Sequence, residues 1–209
     1  EKMSECQYKE QMVADRRWLH QHPEEGWCEF ETTYYIVKRL EELGLKAYCG
    51  IEVIEPQAVM GRSLDTVKAA QTRALDHGVP AAFLDRLGGY TGAMAVLETA
   101  RPGPVTAIRV DIDALPIEET EDPQHEANQG HYRSHYAGFS HACGHDGHTA
   151  VGLAVAAWLV DHKDELCGTV KVLFQPAEEG VRGAAAMAAK GIVDDVDWFV
   201  GAHIGCSAY

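Results

Sequence analysis

The sequence has no apolar run near the roughly 18–20 residues a bilayer-spanning helix needs, so it offers no candidate for one. Basic residues are scarce: 18 Lys and Arg stand against 32 Asp and Glu, a net charge of −14. A chain this acidic presents no basic stripe to displace counterions from a phosphate backbone. That argues against nucleic acid and against an anionic membrane surface as partners. The opening EKMSECQYKEQ is charged throughout and holds no secretory apolar core. The six cysteines (Cys6, Cys28, Cys49, Cys143, Cys167, Cys206) lack the close pairing of a disulfide-stapled domain. Reduced thiols and a cytoplasmic location are the expectation. Internal repeats and low-complexity tracts are absent too.

What is present is a chain of 209 residues, 46% hydrophobic, enough for one large domain or a large piece of one. Glu5–Gln21 reads as a helix, ended by His22-Pro23 because a residue before proline is pushed out of helical conformation. A second helix is expected from about Glu29 to Leu43, with Phe30, Tyr34, Val37 and Leu40 on one face and Gly44 as its stop. A polar stretch over 60–89 carries two more, Leu64–Asp76 and Ala81–Leu87. Gly92–Glu98 and Val105–Val110 read as buried strands, and Val170–Phe174 and Trp198–His203 as further strands. Thr149–Val160, apolar nearly all round, reads as a buried helix, and Gly183–Lys190 as an Ala-rich one. Strands alternating with helices predict an α/β layered sheet with helices on both faces.

Metal-type residues recur after the predicted strands, where open α/β sheets place their ligand sites. The densest block is His141-Ala-Cys143-Gly-His145-Asp146-Gly-His148. In an extended or turn conformation Cys143 and His145 can converge on one ion, and a thiolate beside an imidazole suits Zn, Mn, Fe or Co. Phe174-Gln175-Pro176-Ala177-Glu178-Glu179-Gly180 carries adjacent carboxylates whose side chains point apart. One can ligate a metal while the other addresses water, the division of labour of metal-assisted hydrolysis. Asp111 and Asp113 share one side of an extended chain, as ligands or as acceptors that orient an imidazole. His203 closes the last strand.

These blocks, RVDIDALP (109–116), HACGHDGHT (141–149), FQPAEEG (174–180) and His203, together with the early His22-Pro23-Glu24, resemble the di-metal amidohydrolase family of aminoacylase-type metallopeptidases. Hippurate hydrolases and the hydrolases of auxin–amino acid conjugates are members. The resemblance implies a di-zinc-peptidase-like catalytic domain and two divalent ions, Mn or Zn, with Co also accommodated. It implies Cys143 bridging the ions, His145 on one of them, and Glu179 and His203 as further ligands. Glu178 is then the general base and Asp113 an orienting residue, while His141 and His148 shape the loop. The implied reaction is hydrolysis of an aryl-acyl amide of glutamate to p-aminobenzoate and glutamate. Arg182 is the candidate contact for the glutamate end.

Alternative readings are a general, hippurate-like N-acyl amino acid hydrolase, a non-catalytic metal-binding partner chain, and an acidic scaffold with merely solvated clusters. The family also implies a homologous B-type subunit or a homodimer as partner. Its members are considerably longer, with an inserted lid and a returning segment that carries a last His ligand. Residues 1–209 are therefore expected to form the N-terminal portion of the metal-binding domain, with 60–89 as an insertion, and to turn over little by themselves.

Overall fold

The computed structural model describes residues 2–205. Helix α1 (Glu5–Gln21) starts where Ser4 Oγ accepts the Gln7 N–H (3.3 Å) and the Gln7 side chain accepts the Ser4 N–H (2.8 Å). Helix α2 (Phe30–Glu42) buries Phe30, Thr33, Ile36, Val37 and Leu40 on one stripe. Strand β1 is Lys46–Cys49. Ser63 caps α3 (Leu64–Asp76), and Gly88, at φ +61°, ends α4 (Ala81–Leu87). The remaining elements are β2 (Ala93–Glu98), β3 (Val105–Asp111), α5 (Glu126–Gln129), α6 (His145–Asp161), β4 (Thr169–Gln175), α7 (Ala184–Ala189) and β5 (Trp198–Gly201).

The strands form one sheet in the order β1-β2-β4-β3-β5, antiparallel across β1-β2-β4 and parallel across β4-β3-β5. Helices flank both faces. Gly152 of α6 lies against Val110 and Phe174, where an added Cβ would sit 2.7 Å from Val110 Cγ2. Arg109 and Leu173, of opposite parity, face Ala184 and Met187 of α7. Helix α1 packs on α6, and α2 lies against β1. Fully buried Phe174, Ile112, Leu40 and Phe30 anchor the core, each such side chain contributing about 1.5–3 kcal/mol. The 60–89 stretch is not a loose loop: Val67, Ala70, Ala74, Leu84 and Leu87 of its two helices are buried.

Four expectations are corrected. Strand β1 is absent from the sequence reading, because only Ala47 and Cys49 of its four residues are buried. Helix α6 begins at His145 instead of Thr149: Gly144 takes φ +79° and the Asp146 carboxylate accepts the Gly147 N–H (2.8 Å), so the His/Gly motif becomes the first helical turn. That helix is not buried all round, since Val151 and Trp158 are exposed. Strand β5 ends at Gly201, leaving His203 in the following segment. No described helix is long and apolar enough to cross a membrane.

Candidate metal centre

The parallel strands β3, β4 and β5 all end on one edge of the sheet, and the predicted site residues collect there. Asp111 closes β3 and Asp113 follows it. Cys143 lies in the turn before α6, and His145 and His148 occupy its first turn. Glu178 and Glu179 come from the turn after β4, and His203 from the segment after β5. Thr149 Oγ1 donates to the Asp111 carbonyl (3.0 Å), tying the start of α6 to the end of β3.

Among the described residues two donor groups, each with its atoms within 4.8 Å of one another, emerge from this arrangement. One is Cys143, His145 and Glu179; the other is Asp111, His145, His148 and His203. Hydrogen bonds separate the usable donors from the engaged ones. Buried His148 donates from Nδ1 to Asp111 Oδ2 (3.2 Å) and accepts the Ile204 N–H at Nε2 (2.9 Å), so both its nitrogens are occupied. Asp111 is also paired with Arg109. Burial works to raise the Asp111 carboxyl, but the His148 hydrogen bond and the Arg109 charge outweigh it and hold the group below its usual range. Asp111 and His148 thus brace the site, fixing the backbone beside His203.

His145 and His203 are arranged differently. His145 Nδ1–H donates to the Asp113 carbonyl (2.9 Å) and lies 3.2 Å from Asp113 Oδ1. His203 Nδ1–H donates to the Ile204 carbonyl (2.8 Å). With both protons on Nδ1, two Nε2 lone pairs face each other at 3.2 Å. Such a contact is repulsive unless a cation, proton or metal ion, lies between. Burial disfavours charge on His145, yet the Asp113 hydrogen bond and charge prevail and hold the imidazole above its usual range. Cys143 Sγ lies 3.6 Å from His203 Nε2, and Glu178 Oε2 lies 3.8 Å from His145 Nε2. Glu179 donates its N–H to Asp113 Oδ2 (3.0 Å), while its buried Oε1 has no hydrogen-bond partner. Sulfur, two imidazole nitrogens and a carboxylate converging in this way fit a transition-type divalent cation.

Arg182, expected at a substrate carboxylate, is held otherwise. Its Nε donates to the Glu179 carbonyl and its Nη1 to the Gly61 carbonyl (both 2.9 Å), bracing the carboxylate-bearing turn. His141 is buried with neither ring nitrogen hydrogen-bonded, and burial pushes it down to about 4. Sequence reasoning passes over Glu29, which is fully buried beside this turn. A glutamate at a helix start is ordinarily solvated, so nothing in the pattern singles it out.

Residues 107–208 match the model of peptidase family M20/M25/M40. The chain is 44% identical over 199 residues to a p-aminobenzoyl-glutamate hydrolase homolog of Haemophilus influenzae, covering 95% of this chain and 47% of that one. It is 45% identical over 197 residues to the indole-3-acetyl-aspartic acid hydrolase of Enterobacter agglomerans, covering 93% and 45%. Among solved structures it superimposes on the YXEP protein of Bacillus subtilis, a dinuclear metal-binding peptidase of family M20. The TM-score is 0.71 at 31% identity, over 95% of this chain and 44% of that one. The chain thus spans just under half the length of these relatives. Sequence, fold and the edge on which the donors gather agree: the chain belongs to peptidase family M20/M25/M40.

Proposed function

We propose that this chain carries the metal centre of an amide hydrolase that cleaves p-aminobenzoyl-glutamate to p-aminobenzoate and glutamate. The observation that carries the reading is the pair of Nε2 atoms of His145 and His203, 3.2 Å apart, with Glu178 beside them. Cys143, His145, Glu179 and His203 would hold two divalent ions, Mn or Zn, with Co accommodated by the same donors. When bound, these ions supply Lewis acidity and make water acidic enough to deprotonate near neutral pH. Glu178, partly exposed and facing the site, takes the proton from the attacking water and returns it to the departing amine. Asp113 holds His145 in the tautomer that turns Nε2 inward and fixes the Glu179 backbone through its other oxygen. Arg182 acts by keeping the Glu178–Glu179 turn in place.

The substrate assignment leans on the Haemophilus relative; the Enterobacter relative, equally similar, supports a second reading. Both names describe an aromatic acyl group joined to an acidic amino acid. A broader N-acyl amino acid hydrolase would share the same centre, whereas Glu178 speaks against a non-catalytic role. The reading extends to a homologous B-type subunit or a second copy as partner, and to a reducing cytoplasm in which thiols such as Cys28 and Cys49 stay reduced.

Parallel assays of the intact protein on p-aminobenzoyl-glutamate, indole-3-acetyl-aspartate and hippurate, with Mn or Zn added, test this. The highest kcat/KM on the first supports the proposal. A preference for either of the others moves the assignment to the second reading. Absence of turnover on all three, with less than one equivalent of metal bound, would overturn the hydrolase.

A further inference from the structure

The turn that carries Glu178 and Glu179 is unusually constrained. Ala177, fully buried, adopts φ +49°, a left-handed conformation an alanine does not choose unaided. Its surroundings leave no slack. A Cβ on Gly26 would sit 2.9 Å from Ala177 Cα, one on Gly92 would sit 2.6 Å from Pro176 Cδ, and one on Gly183 would sit 1.7 Å from the Pro176 carbonyl oxygen.

Glu29 reaches this turn from the residue just before α2, across 148 positions of sequence. Its Oε1 accepts the Ala177 N–H at 2.8 Å, and its Oε2 meets Thr91 Oγ1 at 2.6 Å. It does not cap its own helix. Two residues on, the Glu179 N–H is taken by Asp113. Alternate N–H groups, 177 and 179, are therefore held by two separate buried carboxyl groups, and Glu178 projects from between them. Burial, reinforced by the nearby Asp113, pushes Glu29 well above the usual carboxylate range. Both contacts are made to carboxyl oxygens: Oε1 accepts the Ala177 N–H and Oε2 accepts the Thr91 hydroxyl.

We propose that Glu29 is a positioning residue for the Glu178–Glu179 turn: its hydrogen bond to the Ala177 N–H sets the backbone from which the base and the adjacent metal donor project. This rests on the roles given above to Glu178 and Glu179. It assigns Glu29 a hydrogen-bonding function, not a charged one, and that makes the amide variant decisive. Glu29→Gln keeps an oxygen for Ala177 and sets an amide N–H against Thr91 Oγ1, which can turn to accept it. Glu29→Asp is one methylene too short to reach Ala177, and Glu29→Ala removes both contacts.

Three readouts on the intact protein test it: amide hydrogen exchange across 176–180, divalent-metal affinity by competition with a chromophoric chelator, and kcat against KM. Glu29→Gln should match wild type within about threefold in all three. Glu29→Asp should lose protection at 177, bind metal on the order of 10- to 100-fold more weakly, as loss of an outer partner does, and lose kcat more than KM. If Glu29→Ala fails to fold, Glu29→Asp and Thr91→Val carry the comparison, Thr91→Val leaving the Ala177 contact and its protection intact. A Glu29→Gln variant as impaired as Glu29→Asp would overturn the proposal, because the charge would then matter. So would wild-type protection and metal affinity in Glu29→Asp. Should no variant, nor the wild type, hydrolyse any N-acyl amino acid while exchange and metal affinity still follow the order above, the positioning role stands and the hydrolase reading falls.

Discussion

Glu178 and Glu179 are neighbours in the chain but stand in different surroundings. The first is about 29% exposed beside His145; the second is pinned through its N–H by Asp113 and hides an unpartnered oxygen. Glu178→Gln should keep its metal and lose roughly 10²- to 10⁴-fold in kcat, the usual contribution of a general base. Glu179→Gln should lose metal first, because an amide oxygen is a weaker ligand, and should regain part of its activity at high metal concentration. Metal stoichiometry and kcat of both variants decide, and the reverse pattern would exchange the two roles. Similarly, Cys143→Ser should retain less metal after dialysis than Cys28→Ser or Cys167→Ser; equal retention would remove Cys143 from the site. Away from the centre, His20 makes a pH-dependent contribution. Asp146 Oδ2 faces its Nδ1 at 2.8 Å and Glu119 Oε1 faces its Nε2 at 2.7 Å, so both ring nitrogens donate only when the ring is cationic. Burial opposes that charge, but the two carboxylates prevail and the imidazole titrates above its ordinary value. The stabilisation is then complete below the unfolded value of about 6.5 and is lost as pH rises through the higher folded one. Between pH 5.5 and 8.5 the wild type should lose more thermal midpoint than His20→Asn does. Parallel declines would show that the ring carries no linked proton.

At the scale of elements, α6 does most to build the site, delivering His145 and His148 while packing on the sheet through Gly152. Gly152→Ala gains up to about 1 kcal/mol of helix propensity but forces a Cβ to 2.7 Å from Val110 and 2.9 Å from Phe174. Overpacking of this kind costs about 1–3 kcal/mol, so a lower urea midpoint with an unchanged m-value is expected. A raised midpoint would show that α6 can draw back from the sheet. This helix also marks how far the sequence could be read. The bounds read for helices α1, α3 and α4 match the structure to the residue, and the structure adds the reason: Ser4 and Ser63 cap two of them and left-handed Gly88 stops the third. The start of α6 was not legible, because glycines and histidines suggest a turn until Asp111 and Asp113 hold the imidazoles. Strand β1 offers too few alternating residues to show a period. The donor types of the centre were legible from their clustering; their sorting into ligands and braces came with the family resemblance and does not follow from the spacing alone. That sorting depends on which ring nitrogen of His148, His145 or His203 is already hydrogen-bonded, and the partners lie far along the chain.

Across the whole molecule, the donors of the centre are spread from Cys143 to His203, with their braces reaching back to Asp111 and Glu29. A cation that joins them cross-links α6, the turn after β4 and the segment after β5. Adding Mn or Zn at about 100 times its dissociation constant should therefore stabilise the fold by about 2.7 kcal/mol, seen as a higher thermal midpoint that chelation reverses. An unchanged midpoint would mean that no ion couples these segments. Among the described residues strand β5, which precedes His203, pairs with β3 alone, and Trp198, Phe199 and Val200 are more than half exposed. Its position sets an order of events during synthesis. The ribosome delivers Cys143, His145 and Glu179 some tens of residues before His203, and at about 5–20 residues per second that interval lasts seconds. On the proposed ligand set, three of the four donors would then be made before the fourth. Pairing of Trp198–Gly201 with β3 would be the step, on that same set, that brings the fourth donor, His203, to the other three.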